Sequence, residues 1–167
     1  MLDAQFWEDI AFGLWETTYM VFLSTLFAYI LGMPLGVLLV VTNEKGLKPI
    51  PWLNKTIGFI VNILRSVPFV ILLIMIIPFT RFLVGTASGS FPTIVPLTVA
   101  AFPFIARLVE GSLKELDGGI VEAAKSMGAT NMQIVTKVMI PESVPSLING
   151  AAIAITTILS YSAMAGI

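Results

Sequence analysis

The chain has neither cysteine nor histidine among its 167 residues. Those absences remove disulfide frameworks, thiolate nucleophiles, imidazole bases and His-containing metal sites. They also leave the redox compartment unmarked. Charge is scarce as well: 11% of the residues are charged, against about 25% in soluble domains. With a net charge of −1 and no basic tail, the whole-chain balance points to neither nucleic acid nor an acidic ligand as partner. No Lys or Arg precedes Lys45, so the basic start of a cleaved signal is missing. A G-x-x-x-x-G-K-[ST] phosphate loop is missing too, so the chain does not bind ATP in that manner.

What remains is apolar. Hydrophobic residues make up 57% of the chain and the mean hydropathy is +0.96, which places it in a bilayer. Apolar runs cover residues 17–41, 57–79, 91–106 and 146–167. A span needs about 20 residues rising about 1.5 Å each to cross about 30 Å of hydrocarbon. The expected fold is therefore all-α, a polytopic membrane bundle of four spanning helices in a single domain over 1–167. The third run is the weakest, being short and holding Pro92, Pro96 and Pro103, which a bundle tolerates when neighbouring helices satisfy the freed carbonyls.

Charge orients these spans. The N-terminal flank carries Asp3, Glu8, Asp9 and Glu16, and the loop 80–90 has Arg81 as its one basic residue. Lys45, Lys48 and Lys55 lie in the other inter-span segment, and Arg107, Lys114, Lys125 and Lys137 follow the third run. The positive-inside rule then predicts an external N-terminus, with 42–56 and an insert over 107–145 in the cytoplasm. Trp7, Trp15 and Tyr19 suit the outer aromatic belt and Trp52 the inner one. The last run ends at Ala165, Gly166 and Ile167 without an anchoring residue, and a C-terminal truncation is expected on that ground.

The insert is the polar exception in this chain. Glu110 and Lys114 form an i,i+4 pair in the better orientation. Asp117 is placed to cap a short helix ending near Met127, and Gly128 to end it in the left-handed conformation. Ile120, Ala123, Ala124 and Met127 fall on one side of that helix, with Glu122, Lys125 and Ser126 on the other. Thr130 and Gln133 have capping-box spacing and open a second helix over 131–140, which Pro141 and Pro145 are expected to stop. A plain amphipathic loop lying on the membrane surface would share much of this pattern.

The spacing goes further. Glu122-Ala123-Ala124, three residues, Gly128, nine residues, Val138, one residue, then Ile140 and Pro141 resembles the EAA motif of ABC importer permeases. Further stretches are similar to the methionine-import branch: 15–17 (WET), 61–69 (VNILRSVPF), 77–81 (IPFTR), 103–107 (PFIAR) and 161–164 (YSAM). Neighbouring branches for other amino acids or small solutes share the EAA segment and the Arg-Ser-aliphatic-Pro pattern.

The resemblance implies a type I ABC importer permease fold in a bacterial inner membrane, with a fifth spanning helix beyond this chain. It implies a homodimer, a separate ATPase subunit holding ATP and Mg, and an external solute-binding lipoprotein. The chain itself would be no enzyme and hold no cofactor. Glu122, Ala123, Ala124, Lys125, Ser126, Met127, Gly128 and Ala129 would form the coupling helix gripped by the ATPase. Asp117, Thr130, Gln133 and Pro141 would shape it.

Arg65, Tyr161, Ser162 and Met164 are candidates for the solute pathway or gate. A cation inside a span costs roughly 2.5–3.5 kcal/mol on insertion scales. Snorkelling to the cytoplasmic interface, or pairing with carbonyls freed by Pro68, is the alternative for Arg65. Gly32 and Gly36 form a GxxxG pair around Pro34 and suit close helix crossing. Two rival functions fit less well. A secondary transporter or channel would place ionisable residues near midplane, where Arg65 alone comes close, and an intramembrane enzyme would need acids or bases that the spans lack.

Overall fold

The computed structural model describes residues 4–165. Asp3, and the end of the fourth run at Gly166 and Ile167, lie outside them. All regular structure among the described residues is helical. The first helix, α1 (Ala4–Val41), has 38 residues and extends about 57 Å at 1.5 Å per residue, well beyond one bilayer core. Glu8, Asp9 and Glu16 of the acidic flank are thus part of the helix. Trp7 and Trp15 on that extension are exposed.

The second apolar run is not one straight span. It forms α2 (Pro51–Ser66) and α3 (Phe69–Met75), whose axes differ by 99°, followed by α4 (Ile77–Val84). Pro68 causes the break: it has no N–H to continue the ladder, and it holds Val67 extended at φ −78°, ψ 122°. The Pro68 carbonyl then accepts the Ile71 and Leu72 N–H groups, each at 3.0 Å, to start α3.

The third run, expected to be the weakest, is the centre of the bundle. Helix α5 (Ser90–Lys114) continues through Pro96 and Pro103 and is the most buried of the three helices long and apolar enough to cross a membrane. Residues 107–114 belong to this helix, not to the insert. Its main partner is α1, and Gly32 and Gly36 explain the fit. A Cβ on Gly36 would stand 2.6 Å from the Ala106 carbonyl oxygen, and one on Gly32 would stand 2.8 Å from that of Phe102. Only a missing side chain allows backbones so near.

Helix α9 (Val144–Met164) packs against both α5 and α1, with Ala154 and Ile158 fully buried. Between α5 and α9 run α6 (Gly118–Ser126), α7 (Asn131–Ile134), a π-helical turn (Val135–Met139) and α8 (Ile140–Glu142). Arg107 ties α2 to α5: it donates to the Gly58 carbonyl at 3.0 Å and to Asn62 Oδ1 at 2.9 Å while pairing with Glu110. Lys114 Nζ donates to the other Glu110 oxygen at 2.6 Å, the pair expected from the i,i+4 spacing.

Candidate functional site

Local chemistry shapes the polar segment as its sequence predicts. The Gly119 N–H donates to Asp117 Oδ1 at 2.8 Å, which opens α6. Gly128 closes it at φ +79°. Its N–H reaches the Lys125 carbonyl at 2.9 Å and that of Ala129 reaches Ala124 at 3.1 Å, the paired bonds of a Schellman motif. Both halves of the capping box form: the Thr130 N–H donates to Gln133 Oε1 at 2.9 Å, and the Gln133 N–H donates to Thr130 Oγ1 at 3.4 Å.

The next expectation needs correction. Pro141 does not stop the second helix; the backbone stays helical through Glu142, and Ser143 (φ −87°, ψ 0°) is the joint before α9. Proline lacks a donor and its ring crowds the carbonyl four residues back, that of Lys137. The wide turn Val135–Met139, closed by Ile140 N–H to the Val135 carbonyl, gives that ring room without ending the helix.

Burial divides α6 into two faces. Ala124 is 3% exposed and Val121 is half-buried, in the same core cluster as Leu113, Ile134 and Met139. Ala124 is thereby separated from Ala123, Ile120 and Met127, with which the sequence had grouped it. Those three face outward with Glu122, Lys125 and Ser126. Met127 is 82% exposed and Met132 on α7 is 72% exposed. Large apolar side chains beside charges on an outward face are what a partner surface would use.

A polar cluster that sequence reasoning missed carries the segment into the bundle. Buried Ser143 Oγ donates to the Ser112 carbonyl at 3.3 Å, and Ser146 Oγ bonds Ser112 Oγ at 3.0 Å and Glu115 Oε2 at 2.7 Å. These bonds clamp the start of α9 to the end of α5. The i,i+3 spacing of Ser143 and Ser146 was the one signal available, and it does not name the facing helix. Ala124 and Val121 are set into the core beside Met139 of the π turn, which leads through α8 to the base of α9.

The four pathway candidates do not form one group. Arg65 is exposed in the last turn of α2, fourteen residues beyond Pro51 and so about 21 Å along the helix. Its guanidinium lies 5.9 Å from the Phe104 ring centroid. Tyr161 lines the same cavity as Arg65 and stacks on Phe69, with centroids 4.6 Å apart and planes within 2°. Ser162 is buried and donates to the Leu159 carbonyl at 2.8 Å. Met164 is 58% exposed, and neither it nor Ser162 lines that cavity.

Comparison with known proteins gives a consistent set of relatives. The family described as binding-protein-dependent transport system inner membrane component matches residues 28–167. The chain is 51% identical over 166 residues to the D-methionine transport system permease protein MetI of Yersinia pestis, covering 99% of this chain and 76% of that protein. It is 52% identical over 154 residues to the protein of the same name in Escherichia coli K12, covering 92% and 71%. A solved chain from inward-facing conformations of the MetNI methionine ABC transporter superposes with a TM-score of 0.96 at 49% identity, covering 98% of this chain and 76% of that one.

Proposed function

The chain belongs to the family of binding-protein-dependent transport system inner membrane components, as a permease subunit of an ABC importer, and on that premise we propose that it carries methionine by alternating access. The observation that carries the cargo assignment is the 51% identity to a D-methionine permease along nearly the whole chain. The permease performs no covalent chemistry. A separate ATPase subunit binds ATP and Mg and grips the outward face of α6 at Ile120, Ala123, Lys125, Ser126 and Met127. Closure of that partner moves α6, and the joint at Ser143 passes the movement to α9.

Two permease copies form the pathway, and an external binding protein delivers the solute and sets most of the selectivity. The Lys-bearing segments 42–56 and 115–143 face the cytoplasm, with the N-terminus outside. The absence of cysteine from these 167 residues makes a direct test available. Ala123→Cys or Ser126→Cys in the complete transporter is expected to crosslink to a cysteine in the ATPase cleft, with a yield that changes with nucleotide. No crosslink in any nucleotide state removes the coupling role. Uptake of radiolabelled L- and D-methionine by the same transporter tests the cargo, and transport of neither overturns it.

A further inference from the structure

The break between α2 and α3 does more than bend the chain. It opens a cavity of about 240 Å³ where four elements meet: Arg65 from α2, Phe69 and Leu72 from α3, Ala100 and Phe104 from α5, and Tyr161 from α9. That volume lies below the roughly 300–1,000 Å³ of sites for drug-sized ligands and suits a single amino acid. Arg65 makes no ion pair among the described residues, although it is the basic residue of the last turn of α2. The two cations that do form ion pairs among the described residues, Arg107 and Lys114, share Glu110.

The chemistry around Arg65 is that of a zwitterion receptor. Its guanidinium offers a planar, two-pronged donor for a carboxylate. The same turn of α2 is the carbonyl end of the helix, where unpaired C=O groups and the helix dipole favour a cation such as an α-ammonium. The rings of Phe69, Phe104 and Tyr161 form an apolar wall, and thioether sulfur makes favourable contacts with aromatic rings. A broken helix beside a cavity is also the geometry in which transporters hold small polar substrates inside a membrane.

We propose that this cavity is a transient subsite for the transported amino acid, with Arg65 receiving its carboxylate, the end of α2 its ammonium and the three rings its side chain. The subsite rests on the methionine reading given above. Because Tyr161 belongs to α9, which follows the coupling segment directly through the joint at Ser143, movement of α9 opens or closes the cavity and ties its occupancy to the ATPase cycle.

Equilibrium binding of radiolabelled L-methionine to the detergent-purified permease and ATPase assembly, without binding protein, tests this. Arg65→Gln is expected to weaken binding at least tenfold and Arg65→Lys by less, with assembly size unchanged by light scattering. Methionine amide, which lacks the carboxylate, should compete at least tenfold less well than methionine in the wild type and equally poorly in Arg65→Gln. Equal binding by wild type and Arg65→Gln overturns the subsite. Dissociation of the assembly in both Arg65 variants assigns the residue to a subunit interface and overturns it as well. Uptake separates the two readings: methionine transport without Arg65-dependent binding removes the subsite alone, while no methionine transport by the wild type removes the cargo assignment beneath it.

Discussion

Gly128→Ala isolates the bend of the coupling segment from everything it touches. The residue sits at φ +79°, and a Cβ placed there would meet no heavy atom within 4 Å. Steric overlap therefore contributes nothing, and the cost is that of holding an L-residue in the left-handed region, about 1–2 kcal/mol. That shifts the balance between the capped bend and looser conformers by roughly 5- to 30-fold. The bundle should not notice, because the bend is exposed and its bonds are local.

The assay is methionine uptake per ATP hydrolysed by the reconstituted transporter, compared with Gly128→Asn. Asn tolerates the left-handed region better than Ala while adding a larger side chain. Gly128→Ala is expected to lower the coupling ratio several-fold with assembly intact, and Gly128→Asn to stay within about twofold of wild type. Equal impairment by both would show that added bulk, and so a surface contact, matters at this position. Wild-type coupling in Gly128→Ala would refute the reasoning that a fixed bend transmits the movement.

Two further outcomes follow from the packing. Gly36→Ala forces a methyl to 2.6 Å from the Ala106 oxygen and should sharply reduce the folded protein recovered in detergent; Gly13→Ala, with nothing within 4 Å, should leave recovery unchanged, and similar losses in both would remove the close-crossing account. Glu110→Ala removes the carboxylate paired with Arg107, which keeps its bonds to Gly58 and Asn62, and should cost about 3 kcal/mol, the low end for losing one partner of a buried pair, because Arg107 and Lys114 side chains keep 24% and 47% exposure. Lys114→Ala should cost under about 1 kcal/mol. Thermal unfolding of the detergent-solubilised protein compares them, and an equal shift for both contradicts the central place given to Glu110.

The sequence alone determined the class, the caps and the family. Apolar runs of about 20 residues with almost no charge read as helices in a bilayer, since a helix satisfies its backbone groups within the segment. Asp117, Gly128, Thr130 and Gln133 were legible because a cap is chemistry between residues two to five apart. The Glu122–Pro141 spacing was legible through its resemblance to a family motif. Gly32 and Gly36 announced a close crossing, though not that α5 was the helix crossed.

Only the tertiary structure decided the rest, because it depends on which helices face one another. Prolines show this best: Pro96 and Pro103 lie inside α5, Pro141 is absorbed by a π turn, and Pro68 breaks its run by 99°. A proline removes the same donor everywhere, so its outcome rests on whether neighbours satisfy the freed carbonyl. The seryl clamp from α5 to α9 and the meeting of Arg65 with Tyr161 join residues far apart in the chain. No local rule relates such residues, and packing around α5 is what brings them together.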